Sequence, residues 1–448
     1  MKPDSADWCG PAGVDDTASM TAIVAPIFAL LLSVALLLMG NGLQGTLLPV
    51  RASIEDFSAL DIGLLGSAYF LGFAIGCLSG PHIVRRAGHI RAFTAMVAIA
   101  SCVVLAHAIV LQPLVWWSLR MATGLCFAVL YMIIESWLNE KSSNENRGLV
   151  FSIYTIVNLT VITLGQMMLT LDEPTNFPLF SLASILVSLA AVPVALTRSP
   201  APTPIETVHI RFRKLLQASP VGVVGCFSVG LANGAFWALA PVFAQGESVN
   251  VADVALFMST AVIAGAIGQW PLGRMSDRMD RRRVIVFACT GAAVAGLSLA
   301  LIDSSWTLLL SVAAFGYGMF AFPLYAVSVA HTNDFVEPAG YVEAASGLLL
   351  VFALGAVAGP IIASVFVRFA GISSLFAYTA CVHVATAAFA LYRMQHRKTR
   401  LREEHIAFGD AIRVAQTVSA VDPLSHPGHT PGDAIDPDTP STDTRTES

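Results

Sequence analysis

Twelve separate runs of apolar residues, each long enough to cross a bilayer, leave this 448-residue chain few folds to choose from. A hydrocarbon core of about 30 Å needs roughly 20 residues of helix. Runs of that length fall at 22–48, 61–82, 92–111, 114–138, 149–171 and 177–196. Six more follow at 220–243, 252–274, 284–302, 306–330, 341–367 and 371–393. Backbone amides in lipid must be satisfied within their own segment, so each run predicts a transmembrane α-helix. Charged residues make up only 12% of the chain, about half the share in soluble domains.

Residues 1–20 are polar and acidic, and the run from Ala22 is too long for a signal-peptide core, which predicts a retained first helix. Cations sort to one side of the twelve runs. Arg85, Arg86, Arg91, Lys141, Arg147, Arg198, Arg211, Arg213, Lys214, Arg274, Arg278, Arg281, Arg282 and Arg283 fall in connections on that side; Arg51 and Arg368 fall opposite. Cytoplasmic loops carry the excess of Lys and Arg, so both termini of this multi-pass chain are predicted to be cytoplasmic.

The organisation expected is a cytoplasmic tail at 1–21, a six-helix bundle at 22–196, a cytoplasmic linker at 197–219, a second bundle at 220–393 and a cytoplasmic tail at 394–448. The linker is Pro-rich and then basic, which predicts a loop followed by a short amphipathic helix at the membrane surface. The second tail is rich in Pro, Asp, Thr and Ser and is expected to be largely disordered.

Several function classes are not expected. Net charge is −5, with no basic excess to engage nucleic acid. Cys77, Cys102, Cys126, Cys226, Cys289 and Cys381 all sit inside apolar runs with no Cys-x-x-Cys or His/Cys cluster, so no metal or other cofactor is expected. No nucleotide-binding loop or nucleophile triad suggests an enzyme.

A motif recurs half a chain apart. The connection after the eighth run reads Gly273-Arg-Met-Ser-Asp277-Arg278-Met-Asp280-Arg281-Arg282-Arg283, and the one after the second reads Gly80-Pro-His-Ile-Val84-Arg85-Arg86-Ala87-Gly88-His-Ile-Arg91. Both resemble the signature of the major facilitator superfamily: Gly, three residues, Asp-Arg, one residue, Gly and a basic pair. The second copy departs at Asp280; the first has Val84 in place of Asp, and Gly88 falls one place late. Repeats at this offset imply two parallel halves. Arg120-x3-Gly124-x3-Ala128 is similar to the family's helix-4 pattern, and Glu135-Ser-Trp-Leu-Asn139 with Asn146-Arg147-Gly148 resembles its YcaD-type bacterial branch.

The resemblance implies an all-α membrane protein with twelve transmembrane helices in two pseudo-symmetric six-helix bundles. It implies a monomeric secondary transporter in a bacterial inner membrane that moves a small-molecule solute by alternating access. Proton coupling, and uptake against export of a drug or metabolite, stay open. The alternative from another class is a membrane sensor or scaffold.

Charge at membrane depth is costly and points to function. Arg120 lies six residues into the fourth run, about 9 Å from its outer end. Arg120, Gly124, Phe127, Tyr131 and Glu135 share one helical face. In the family, helices 1, 4, 7 and 10 line the central cavity, which implies that this stripe faces it. Arg120 then either binds an anionic group or tunes a proton site; the alternative is a structural Arg donating to carbonyls of helix 1. Glu135 is either a proton carrier or an interfacial acid paired with loop arginines. Asn41, Gln44, Asn158, Asn233, Trp237, Tyr317 and Tyr325 are further candidates, able to hydrogen-bond a solute or to hold helices together.

The glycines Gly72, Gly76 and Gly80 are spaced for a close helix contact. At the cytoplasmic side the resemblance implies a gate involving Gly80, Arg85, Arg86, Arg147, Gly273, Asp277, Arg278 and Glu343. Asp277 would face Arg147, and Arg85 with Arg86 would face Glu343 in a charge-swapped second latch; the alternative is that these are positive-inside arginines with no partner.

Overall fold

The structure is a computed structural model that describes residues 27–142, 147–196, 207–208, 211–246, 250–303, 306–337, 340–396 and 420–421. Each of the twelve apolar runs is a helix. The first six are α1 (Phe28–Ile54), α2 (Ala59–Ala87), α3 (His89–Ile109), α4 (Pro113–Lys141), α5 (Leu149–Leu171) and α6 (Phe177–Ala195). The second six are α7 (Pro220–Gln245), α8 (Val251–Arg278), α9 (Arg281–Leu301), α10 (Thr307–Asn333), α11 (Tyr341–Ala370) and α12 (Ser374–His396). The linker contributes a short helix, Phe212–Ala218, and Thr207–Val208 pairs in parallel with Ala420–Val421. Most of the two expected tails lies outside the described residues.

Helix ends depart from the apolar runs wherever local chemistry carries the helix past the lipid. α1 continues to Ile54 because Arg51 pairs with Glu55 one turn on, at 2.6 Å, and donates to the Pro174 carbonyl. α2 starts at a capping box in which Ser58 and Asp61 satisfy each other's backbone amides. It stops at Gly88, whose φ of 82° a glycine adopts without strain. α10 breaks at Phe322–Pro323, where proline removes a helical donor.

The two motif connections are mostly helix, a correction to the expected loops. Gly80, Arg85 and Arg86 lie in the last turns of α2, and Gly273, Asp277 and Arg278 in the last turns of α8. The turn after α2 is made by Gly88. The turn after α8 is made by Asp280, whose carboxylate accepts the Arg282 amide at 3.0 Å and caps α9. An N-cap thus stands where the family pattern has glycine.

Helix pairing repeats with an offset of six. α1 packs on α5 and α6, α2 on α4, and α3 on α4 and α6; α7 packs on α11 and α12, α8 on α10, and α9 on α10 and α12. Small residues set the closest approaches. A side chain on Gly72 would strike the Met121 carbonyl and one on Gly124 the Tyr69 carbonyl, locking α2 to α4. Gly268 against Met319 and Gly318 against Ala261 do the same for α8 and α10. Gly355 and Gly359 serve as the contact of α11 with α7, against Phe227 and Leu231.

The halves meet along α2 with α11 and along α5 with α8, a pair of seams that the same offset exchanges. At the end away from the basic connections the first seam is tight. Gly63 abuts the Pro360 carbonyl and Ser364, and Ser67 donates to the Val357 carbonyl at 2.7 Å.

Candidate functional site

Between the halves lies a cavity of about 250 Å³. Its wall is built by α1 (Asn41, Gly42, Gly45, Thr46, Pro49), α2 (Leu65, Gly66, Tyr69, Phe70), α4 (Arg120, Tyr131), α5 (Ile162, Gln166) and α7 (Trp237, Ala238). All but Trp237 and Ala238 belong to the first half. α1 and α5 approach closely because Gly42 faces the Ile162 carbonyl and Gly165 faces the Met39 carbonyl, and Gly45 opens onto free space.

Arg120 is the one charged residue of this wall among the described residues. Its guanidinium carbon sits 4.5 Å from the centre of the Tyr69 ring, a cation–π arrangement. One terminal nitrogen, Nη1, is buried without a hydrogen-bond partner. Among the described residues Arg120 pairs with no carboxylate and donates to no α1 carbonyl. Asn41 lies within reach of the Tyr69 hydroxyl. The Gln166 side-chain oxygen is buried and unpartnered, so the wall offers a cation and amide groups to whatever fills the space.

Four of the sequence candidates, Arg120, Tyr131, Asn41 and Trp237, converge on this cavity; the others lie elsewhere. Gln44 is buried away from it, and Asn158 stands beside Tyr154 on α5. Asn233 is buried on α7. Tyr317 is fully buried, stacked on Phe236 at 5.4 Å, and Tyr325 packs edge-on against Phe352 at 5.3 Å. Among the described residues, none from α10 lines the cavity. The α10 contribution is indirect: Phe322, at the helix break, stacks on Trp237 at 5.8 Å and 13° and holds the indole against the wall. Tyr69 and Phe70 were missed because α2 was read for its close glycine contact alone, and Gln166 because the residue singled out on α5 was Asn158, two turns earlier. A tyrosine one turn before Gly72 and Phe73, on the face that meets α4, is the signal that could have found Tyr69.

Glu135 is buried on α4, within electrostatic range of Cys77, Tyr131, Tyr154 and Tyr325. Those partners come from α2, α4, α5 and α10, so the carboxyl sits inside the protein where the halves meet, and not in an exposed interfacial position.

At the basic end Glu343 has a different partner from the one expected. Arg211 of the linker grips it through Nε at 3.0 Å, Nη2 at 2.8 Å and its backbone amide at 3.1 Å. A guanidinium fork engages both carboxylate oxygens. Arg85 and Arg86 are exposed and form no ion pair among the described residues. Gly80 packs on Met132, and Gly273 is buried. The Arg147 side chain lies outside the described residues; Asp277 is 3.9 Å from Arg281, and Arg278 is exposed. Arg281 and Arg282, expected as loop cations, are buried. Arg281 pairs with Asp334 at 2.8 Å and donates to Ser276 at 2.8 Å, and Arg282 pairs with Asp280 at 2.9 Å.

Comparison with known proteins agrees with this architecture. The MFS-type transporter YcaD of Escherichia coli O17:K52:H18 is 28% identical over 349 residues, spanning 76% of this chain and 88% of that protein. YcaD of Shigella flexneri matches over the same span. Among solved structures, the nucleoside transporter NupG superposes with a TM-score of 0.66 at 15% identity, covering 83% of this chain and 99% of NupG. A bacterial homologue of the human lysosomal transporter Spinster, inward-facing and occupied, gives 0.68 at 15% identity, covering 88% and 99%. The family profile described as Major Facilitator Superfamily matches residues 30–332 and 222–420. Twelve helices in two repeated bundles and a profile match across nearly the whole membrane part together place this chain in the major facilitator superfamily.

Proposed function

We propose that this protein is a secondary active transporter that moves a small solute by alternating access through the cavity around Arg120. The observation that carries this reading is a guanidinium lining a cavity between the halves with no acidic partner among the described residues. A cation held at membrane depth is costly unless it meets protein, water or a counter-charge. Two halves joined by a pair of symmetry-related seams can rock about such a site. The Lys/Arg bias supports a cytoplasmic position for both termini.

Glu135 is the candidate proton carrier. It lies on the same helix as Arg120, about 22 Å further along its axis, at the meeting of both halves. A protonatable carboxyl there is placed to change charge as the halves move.

The test is transport in proteoliposomes with a broad solute panel, with and without a pH gradient. Wild-type protein moves at least one solute, Arg120→Ala abolishes movement, and Glu135→Gln keeps exchange while losing accumulation driven by the gradient. If folded, inserted protein moves nothing in the panel, a sensor or scaffold role takes precedence.

A further inference from the structure

We infer that the solute is a small aromatic monocarboxylate; this rests on the transport reading above and names what its cavity accepts. Three features of the wall lead there. The first is charge. Arg120 is the single charged wall residue among those described, and its unpartnered Nη1 is a donor left waiting for an acceptor. One anionic oxygen pair would neutralise it and meet its fork. A neutral solute leaves the cation uncompensated, and a dianion brings a second charge with nothing to meet it, each costly at membrane depth.

The second feature is shape. Tyr69, Phe70 and Trp237 line the space with aromatic side chains, and Phe322 stacks on Trp237. Ring faces and edges favour a flat apolar body over an aliphatic polyol. Asn41 and Gln166 supply the few polar contacts that orient it.

Size is the third. A volume of about 250 Å³ lies below the roughly 300–1,000 Å³ of sites for drug-sized ligands. That suits one ring and one carboxylate better than a drug-sized solute.

Four probes separate these features: benzoate, its neutral isostere benzamide, acetate without a ring, and succinate with a second charge. Thermostability of the purified full-length protein reports binding, and counterflow in proteoliposomes reports movement. Benzoate is expected to stabilise the protein and to exchange, with the other three at least tenfold weaker. Arg120→Gln is expected to erase the preference for benzoate over benzamide, and Arg120→Lys to keep part of it. The isostere comparison on wild-type protein stands even if Arg120→Gln does not fold. Equal responses to benzoate and benzamide, or to benzoate and acetate or succinate, overturn the assignment. If none of the four binds but another solute exchanges, the assignment falls and the transport reading survives; if nothing exchanges, both fall.

Discussion

The guanidinium of Arg120 lies over the face of Tyr69, 4.5 Å from the ring centre. The cation of α4 is thereby held by a neighbour on α2 that offers π density and leaves the charge uncompensated. A cation–π contact of this kind contributes about 0.5–2 kcal/mol, more where water is excluded. It fixes the long side chain while leaving its donors free for a ligand.

Replacing the ring therefore matters more than removing its hydroxyl. Tyr69→Leu is expected to weaken solute binding by roughly tenfold, the upper part of that energy range. Tyr69→Phe keeps the π face and should lose much less. Titration of solute-dependent thermostability checks the order; equal losses in the two variants would show that the hydroxyl, through Asn41, is the operative group.

Backbone contacts between helices give a second expectation. Gly124 faces the Tyr69 carbonyl with no room for a side chain, and overpacking costs about 1–3 kcal/mol or more. Gly124→Val should lower the melting temperature or the yield of monodisperse protein. Gly45→Ala, where nothing lies within 4 Å of the added carbon, should fold as the wild type does. Size-exclusion profiles and melting curves of the two variants decide the point.

The Arg281–Asp334 pair gives a third. Both side chains are buried, at 0% and 3% exposure, and joined at 2.8 Å. Breaking a buried pair from one side costs about 3–5 kcal/mol, here because Arg281 loses its nearest carboxylate, with Asp277 further off at 3.9 Å. Asp334→Ala is expected to be strongly destabilised, and the double change Arg281→Met with Asp334→Leu to recover most of the loss. A double variant no better than Asp334→Ala contradicts this account.

At the linker, Arg211 and Glu343 should behave as partners and Arg85 should not. Exchanging the charges, Arg211→Glu with Glu343→Arg, should restore whatever thermostability or transport either single change loses. Arg85→Glu with Glu343→Arg should restore nothing. Rescue in the second pair and not the first would return the latch to α2.

The membrane fold was legible because hydropathy reports depth in lipid, and lipid leaves the backbone no option but helix. Its ends were less legible, since Arg51 with Glu55 and Ser58 with Asp61 extend helices by side-chain chemistry that hydropathy averages away. Arg120, Tyr131, Asn41 and Trp237 could be found as polar or aromatic groups at membrane depth. Tyr317 could not be separated from them, because its place behind Phe236 depends on how α10 breaks at Pro323. Glu343 was paired wrongly for a related reason: the chain that supplies Arg211 is a connector, whose path no periodicity records.

The lopsided wall of the cavity bears on how cargo would leave. Among the described residues its only charge and both of its amides are carried by the first half, while the second lends Trp237 and Ala238. A passenger held there stays seated on one half as the halves part, and the other acts as a shutter drawn across it. Changes to the seat should alter how tightly cargo is held, and changes to the shutter how fast it comes and goes.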